Sequence, residues 1–229
     1  MIGTIVNAIS IIAGSLLGLL LRKGIPEGYK STVMQALSLA VMLIGIKSAL
    51  MTDDLLVVII SLAIGSVIGE YVGIESGLEK LGQWIEGRFS NESGSVSKGF
   101  VTASLVYCVG SMAIVGSFES GLTGNHQTLF AKSALDGISA IIFASSMGVG
   151  VLLSFIPVFL YQGLLTVTAG LIKPFLVASV ISQMSATGGL LILAIGINLL
   201  GVVKIRVGNM LPAVFIPFVY YLIQILLSP

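Results

Sequence analysis

The chain has 229 residues, of which 56% are hydrophobic and only 9% are charged, and its mean hydropathy is +1.10. Soluble domains carry about 25% charged residues and cover their surfaces with polar groups, so this composition excludes water-soluble enzymes and predicts an integral membrane protein. The net charge of +1, without a cluster of Lys and Arg, excludes a nucleic-acid partner, because binding a phosphate backbone requires such a cluster. With one cysteine, Cys108, the chain builds neither an intrachain disulfide nor a thiolate metal site, and we expect no metal and no cofactor.

Polar residues divide the sequence into apolar stretches long enough to cross a membrane, which takes roughly 20 residues for a helix. We therefore predict an all-α transmembrane bundle in the lipid bilayer, with eight spans, numbered in order, at residues 2–21, 32–50, 55–74, 100–118, 130–154, 156–172, 186–203 and 207–227. Spans 5 and 6 meet near Pro157, where one kinked or re-entrant segment is the alternative and gives seven spans.

The positions of Lys and Arg predict the orientation, because basic residues in short loops stay on the cytoplasmic side. With both termini outside, eight of the eleven basic residues fall inside: Arg22, Lys23, Lys30, Lys80, Arg88, Lys98, Lys204 and Arg206. Lys47, Lys132 and Lys173 fall in or near the outer half. The sequence thus favours eight spans with the N-terminus and the C-terminus outside.

One sizeable polar segment, residues 75–99, separates the first three spans from the rest and is cytoplasmic in this arrangement. Apolar residues from Ile74 to Phe89 recur at helical spacing between charged ones, which indicates an amphipathic helix at the membrane interface with Trp84 as its anchor. The alternative is an extension of span 3 into water. The Ser- and Gly-containing run 90–95 is typical of a flexible linker.

Weak internal similarity links the two ends of the chain. Residues 7–14 resemble residues 162–170, and residues 43–47 resemble residues 194–198. Because the matched spans run in opposite directions, we predict that spans 1–3 and 6–8 are inverted repeats, which are typical of secondary transporters; chance similarity among small and apolar residues is the alternative. The chain is then one membrane domain, 1–229. It consists of a first repeat (1–74), the cytoplasmic segment (75–99), a central helix pair (100–154) and a second repeat (155–229).

Ionisable residues at membrane depth are costly and are therefore candidates for function. Asp136 lies inside span 5, four residues after Lys132, so the two side chains share a helix face and can neutralise each other. The pair is either a structural ion pair near the outer interface or a cation- or proton-linked carboxylate. Glu119 ends span 4 near the headgroups, and Lys47 can snorkel to the outer surface.

Small residues are concentrated in spans 3 and 4. Gly65, Gly69 and Gly73 share one face of span 3, the spacing that lets helices approach closely, and Glu70 beside them either caps or snorkels, or takes part in transport. Gly110 and Ser111 open a small-residue run in span 4, which indicates either tight packing or locally unwound backbone at a central site.

The start of span 8 carries a polar residue close to a proline. Asn209, three residues before Pro212, suggests a helix start with free backbone N–H groups that fit an anion or a substrate. A plain N-cap explains the same residues.

Four segments, taken together and in chain order, carry a resemblance to a known family. They are Cys108–Ser117, Lys132–Ser154, Tyr161–Gly163 and Arg206–Ala213. In this combination the chain resembles the bacterial YdfK/YqgA family, known as domain of unknown function 554. The resemblance implies a multi-pass protein of the bacterial inner membrane and brings with it no established substrate or reaction.

The buried polar residues predict a small secondary transporter or permease, with a channel as a close variant, for a small polar or cationic solute. Its site near the membrane midplane is expected to be lined by Asn7, Asp136, Gln162, Asn198 and the glycines of spans 4 and 5. The full set of candidate solute- or ion-binding residues is Asn7, Lys47, Glu70, Gly110, Ser111, Lys132, Asp136, Gln162, Asn198 and Asn209.

Two other functional classes are weighed against transport. A membrane scaffold or sensor acting through residues 75–99 is the alternative. An enzyme is not expected, because motifs for catalytic metals and nucleophiles are missing and the single histidine, His126, has no second ligand in its loop. The glycine-rich faces of a short chain also predict a homodimer.

Overall fold

The computed structural model describes residues 1–22, 27–77, 80, 95–108, 111–172, 175 and 177–227, and this part of the chain is helical and contains no strand. The helices are α1 (Ile2–Arg22), α2 (Glu27–Ala49), α3 (Leu55–Val72), α4 (Ser95–Cys108), α5 (Ser111–Leu122), α6 (Gln127–Met147), α7 (Gly150–Leu153), α8 (Phe155–Ile172), α9 (Ala178–Leu200), a 3-10 helix (Val207–Phe215) and α10 (Ile216–Leu227). The prediction of an all-α membrane bundle is confirmed. Of the predicted amphipathic helix, only residues 74–77 and 80 are described and they are helical; Trp84 and residues 90–94 of the predicted linker lie outside the described residues.

Six helical segments in the described part are long and apolar enough to cross a membrane: Ile2–Arg22, Leu55–Val72, Gln127–Met147, Gly150–Leu171, Ala178–Leu200 and Val207–Leu227. The helices Val96–Cys108 and Met112–Leu122 meet at a bend of 59° and count as a seventh span if they cross together. The apolar part of α2, Met34–Ala49, is shorter than these. The described residues therefore hold six or seven candidate spans, against the seven or eight that the sequence predicts.

The break between predicted spans 5 and 6 lies at Gly148 instead of Pro157. Gly148 ends α6 with φ +80°, a backbone conformation that favours glycine, and its N–H donates to the carbonyl oxygen of Ala144 at 2.9 Å. Pro157 falls in the first turn of α8, where a missing N–H breaks no helical hydrogen bond. The chain therefore turns at the glycine, and Gly150–Leu171 has the length of one span.

The chain folds into two compact units. The first unit contains α1, α4, α6, α7, nearly all of α5 and α8, and the second contains α3, α9, the 3-10 helix, α10 and α2 from Gln35 onward. Each unit thus combines helices from both ends of the sequence.

In the first unit, α1 packs closely along α6 through two glycines. A Cβ atom at Gly14 would collide with the carbonyl oxygen of Gly137, and one at Gly18 would collide with that of Ile141. Small residues at such positions let two helix backbones touch, which is how membrane helices associate without a hydrophobic driving force. Because the residue numbers rise together along the contact, α1 and α6 are parallel.

In the second unit, α2 crosses α9 at a pair of glycines. Gly45 lies against the backbone of Leu193, and Gly196 lies against Met42. Gly196 follows Gly45 by 151 positions, and Leu193 follows Met42 by the same 151 positions. This is the offset between the similar segments 43–47 and 194–198. Each of the two contacts therefore joins one residue to the counterpart of the other residue. Since the residue numbers run in opposite directions along the contact, the two helices are antiparallel.

The glycine face of α3 also packs inside the second unit. A Cβ at Gly65 would collide with Ala213, and one at Gly69 with the backbone of Asn209, both in the 3-10 helix. Gly73 has a different role, because it ends α3 with φ +73°. Two of the three glycines thus hold an antiparallel helix pair within one chain, so the homodimer stays a prediction that this face does not support.

Candidate functional site

An ion pair lies inside the first unit, on the face of α6 that packs against α1. Lys132 Nζ is 2.9 Å from Asp136 Oδ1 and 2.8 Å from Oδ2, and the two residues are 7% and 6% exposed. Asp136 lies nine positions after Gln127, the first residue of α6, which is about 14 Å along the axis at 1.5 Å per residue. The 21-residue helix is long enough to cross the roughly 30 Å hydrocarbon core, and the carboxylate lies well inside it, away from both helix ends.

Two amide side chains from other helices join this pair. Asn7 of α1 donates from Nδ2 to Asp136 Oδ2 at 3.0 Å and to Gln162 Oε1 of α8 at 3.2 Å. Asn7 and Gln162 are completely buried. The carboxylate fixes the orientation of the Asn7 amide, since only its nitrogen can donate to Asp136. Three helices that lie far apart in the sequence therefore meet at one carboxylate.

Two threonine hydroxyls extend the cluster by one helical turn. Thr166 Oγ1 donates to the backbone oxygen of Gln162 at 2.7 Å and lies 3.4 Å from Thr4 Oγ1. Thr4 is therefore the donor between the two hydroxyls. Since residues 4 and 7 of α1 meet residues 166 and 162 of α8, these helices are antiparallel. We refer to Thr4, Asn7, Lys132, Asp136, Gln162 and Thr166 as the polar cluster.

Several buried polar atoms of the first unit have no hydrogen-bond partner among the described residues: Asn7 Oδ1, Gln162 Nε2, Tyr107 Oη and Ser117 Oγ. Buried polar groups are nearly always paired in folded proteins, and an ordered water or a bound polar solute supplies the partner where the chain does not. The polar cluster thus keeps one free acceptor, on Asn7, and one free donor group, on Gln162.

A second group of polar contacts lies one to two turns nearer the start of α6. Thr128 Oγ1 donates to Glu119 Oε2 at 2.6 Å, which joins the end of α5 to the first turn of α6. Thr128, Lys132 and Asp136 are spaced by four residues and therefore share a face of α6. His126 Nδ1 lies 2.9 Å from Ser120 Oγ, and the described residues contain no cluster of acidic, His and Cys side chains that could hold a metal.

Glu70 and Asn209 belong to a separate network in the second unit. Asn209 donates from Nδ2 to Glu70 Oε2 at 2.6 Å and accepts from the backbone N–H of Glu75 at 2.7 Å. Arg206 pairs with Glu70 at 2.6 Å, and the backbone N–H of Gly208 donates to Glu75 Oε2 at 2.6 Å. The sequence predicted that backbone N–H groups at this helix start bind an anion. One of them, the N–H of Gly208, donates to the carboxylate of Glu75 in the same chain.

The remaining candidates lie elsewhere. Both polar atoms of the Asn198 amide bond the backbone of Ile205, at 2.7 Å each, and so close the turn after α9. Lys47 is exposed in the last turn of α2. Gly110 lies outside the described residues, and Ser111 is described only as the first residue of α5. Four of the ten candidates, Asn7, Lys132, Asp136 and Gln162, are therefore brought together.

Sequence reasoning missed Thr4, Thr166 and the buried Tyr107. Their positions carry a partial signal, because Thr4 precedes Asn7 by three residues and Thr166 follows Gln162 by four, which places each threonine on the face of its amide neighbour. A threonine in a membrane helix usually bonds its own backbone, and Thr166 does so, so type and spacing alone do not mark it. Tyr107 stacks on Phe143 of α6 with ring centroids 6.2 Å apart.

Comparison with known proteins finds a family and two relatives that each match nearly the whole chain. The family described as "Protein of unknown function (DUF554)" matches residues 2–222. The chain is similar to the "Uncharacterized membrane protein YdfK" of Bacillus subtilis (strain 168), with 34% identity over 223 residues, which cover 95% of this chain and 94% of that protein. It is also similar to the "Uncharacterized protein YqgA" of Escherichia coli (strain K12), with 32% identity over 220 residues and 94% of each chain covered. No solved structure matches it.

Proposed function

The chain belongs to the DUF554 family, and we propose that this member is a small secondary transporter or permease of the bacterial inner membrane for a small polar or cationic solute. The polar cluster is its binding site. In this proposal α2 and the bent pair α4–α5 also cross the membrane, which gives eight spans with both termini outside, and transport, not catalysis, is the activity of the protein.

The observation that carries the proposal is the burial of a charged pair and two amides where three helices meet, and we place this group near the membrane midplane. Burying charge inside a membrane protein is costly, and residues that persist there usually mark the path of a substrate or an ion. Buried polar groups are nearly always paired, but Asn7 Oδ1 and Gln162 Nε2 lack partners among the described residues, as do some buried hydroxyl groups outside the cluster. These two atoms supply an acceptor and a donor for a bound solute.

The helix contacts also support an inverted repeat. Gly45 and Gly196 make matched contacts at the predicted offset, and Asn7 bonds Gln162, the residue that the similarity pairs with it. Both helix pairs concerned, α1 with α8 and α2 with α9, are antiparallel. Two-fold related helices of this kind let one fold open to either side of the membrane, which is the basis of alternating access.

The charge balance of the cluster defines the class of solute. Lys132 and Asp136 neutralise each other, so the site accepts a small polar solute through the free amide atoms, or a cation if Lys132 moves away. A lipid tail or an apolar drug finds no matching surface there, because the cluster offers hydroxyl, amide and carboxylate groups.

Uptake into proteoliposomes tests the proposal. The variant Asp136→Asn keeps the shape of the side chain and removes its charge, and we expect it to change the flux of small cations or amines relative to the wild type. Asp53→Asn, in the exposed turn before α3, is the matched control and should leave flux unchanged. Thermal unfolding in detergent shows whether each variant is folded. Equal flux by wild type and Asp136→Asn across the panel would contradict the proposal.

Counterflow separates a carrier from a channel. A carrier preloaded with unlabelled solute takes up labelled solute against its gradient, because the same site faces each side in turn. A channel shows no such overshoot. The inverted repeat predicts an overshoot.

A further inference from the structure

We propose that Asp136 is the carboxylate of a monovalent-cation site, and that the ammonium group of Lys132 occupies this site in the present structure as a tethered substitute for the cation. The inference deepens the proposed function, because it identifies the ion that is carried or that drives transport. It does not depend on transport for its test.

The oxygen atoms around Asp136 fit a small cation. Besides the two carboxylate oxygens, Gln162 Oε1 lies 3.2 Å from Asn7 Nδ2, and Asn7 Oδ1 has no partner among the described residues. When a cation replaces the hydrogen bond between Asn7 Nδ2 and Asp136, rotation of the Asn7 amide by half a turn directs Oδ1 towards the cation, so that the cation lies between acceptor oxygens of both residues. One carboxylate with neutral oxygens suits a monovalent ion or a primary ammonium group, whereas Ca²⁺ and Mg²⁺ are usually held by more charge or more oxygens.

Lys132 is the present occupant. Its Nζ lies 2.9 Å and 2.8 Å from the two carboxylate oxygens, a geometry that a free alkylammonium would also adopt. The buried carboxylate thus holds an ammonium group without a second carboxylate in the polar cluster.

The geometry of α6 favours movement of the Lys132 ammonium group away from Asp136. Side chains of a helix lean towards its N-terminus, and a lysine placed four residues before an acid is the less favourable of the two orders. Lys132 must therefore reach against that lean to bond Asp136. Its preferred direction leads to Thr128, one turn earlier, where the carboxylate of Glu119 accepts a hydrogen bond at 2.6 Å.

The exchange keeps each position electrically balanced. When a cation binds Asp136, the ammonium of Lys132 moves to Glu119, so each carboxylate faces one positive charge. When the cation leaves, Lys132 returns and Asp136 is not left as an unpaired buried charge, which is strongly destabilising. The empty protein can therefore change conformation without an uncompensated charge at the midplane.

The test measures the melting temperature of purified protein in detergent while NaCl, KCl or methylammonium chloride replaces choline chloride at constant ionic strength. Removing the tethered competitor with Lys132→Gln should lower the half-maximal cation concentration about tenfold or more, as expected if Lys132 occupies the site for at least about 90% of the time. The three salts distinguish an inorganic cation from an ammonium compound. Lys132→Gln/Asp136→Asn, which has a neutral pair, should lose the response.

A second pair of variants examines the role of Glu119. Glu119→Gln removes the alternative partner of Lys132 and should raise the half-maximal concentration in the wild-type background. In the Lys132→Gln background it should have no effect, because no ammonium remains to be moved. A merely structural ion pair does not predict this dependence on background.

Several results would overturn the inference. They are a Lys132→Gln protein that responds no better than wild type, a double variant that responds as strongly as Lys132→Gln, and an effect of Glu119→Gln that is the same in both backgrounds. If Lys132→Gln does not fold, Lys132→Arg serves instead, since a bidentate guanidinium holds the carboxylate more tightly and should weaken the cation response. A cation response without measurable flux would support the site and contradict the transporter; flux without a cation response would do the reverse.

Discussion

The side-chain amide of Asn7 donates to Asp136 Oδ2 at 3.0 Å, across 129 positions of sequence. This hydrogen bond crosses the same helix pair that Gly14 and Gly18 bring into backbone contact. The close approach of α1 to α6 is what lets a short asparagine side chain reach the carboxylate. The glycines and the polar cluster are therefore parts of one arrangement.

Replacing Asn7 with alanine should lower the free energy of unfolding by about 1–3 kcal/mol, because the substitution leaves buried acceptors on Asp136 and Gln162 without their donor. Ile9, on an exposed part of the same helix, is the control, and Ile9→Ala should stay within about 0.5 kcal/mol of wild type. Denaturant unfolding in mild detergent measures both. Equal losses for the two variants would contradict the role given to Asn7.

Gly14→Ala should destabilise the protein by about 1–3 kcal/mol, since the added methyl group meets the carbonyl oxygen of Gly137 and forces two packed helices apart. Gly170→Ala is the matched control within α8, because a Cβ there has no neighbour within 4 Å. This control should gain up to about 1 kcal/mol from the higher helix propensity of alanine. Thermal unfolding should give a lower melting temperature for Gly14→Ala than for Gly170→Ala. A Gly14→Ala protein as stable as Gly170→Ala would rule out the tight contact.

Asn209→Leu should cost about 1–3 kcal/mol, because it removes the donor to Glu70 and the acceptor for the backbone N–H of Glu75. Arg206→Gln should cost only about 0–1 kcal/mol, because its ion pair with Glu70 is open to solvent, with side chains 63% and 53% exposed. Thermal unfolding compares the two variants directly. A larger loss for Arg206→Gln would mean that charge, not the amide, holds the start of the 3-10 helix.

Cysteine labelling tests the orientation. Cys108→Ser gives a cysteine-free protein, since Cys108 is the single cysteine of the chain, and Asp53→Cys and Lys204→Cys can be introduced into it one at a time. In intact spheroplasts an impermeant maleimide should label the variant at Asp53 and not the one at Lys204, because the excess of basic residues puts the loop after α9 inside. Lysis should expose both sites. The opposite labelling pattern would reverse the orientation.

Part of this structure follows from sequence alone, for reasons that particular residues make clear. The Lys132–Asp136 pair could be predicted because its partners are one turn apart on a single helix. The sequence also assigned Asn7, Asp136 and Gln162 to one site, but it added Asn198, which bonds Ile205 instead, because hydropathy does not encode how distant helices pack. The similarity between residues 7–14 and 162–170 nevertheless pairs Asn7 with Gln162, and these two residues are in contact.

Local chemistry also explains where the structure differs in detail from what the sequence predicts. Pro157 was expected to separate two spans, but a proline in the first turn of a helix is compatible with it, and Gly148, with its positive φ, makes the turn. Asn209 was given two readings, and the network around Glu70 and Glu75 uses both polar atoms of its amide. No local sequence pattern predicts that the carboxylate of Glu75 accepts a hydrogen bond from the backbone N–H of Gly208.

The ion pair within α6 also bears on how the chain enters the bilayer. The chain enters the translocon from its N-terminus, so α6 arrives there before α8, which carries Gln162. Because Lys132 and Asp136 neutralise each other within one helix, we expect α6 to insert by itself, with its charges already matched. The amide partners then join during helix assembly, which makes the pair a requirement of biogenesis as well as a part of the site.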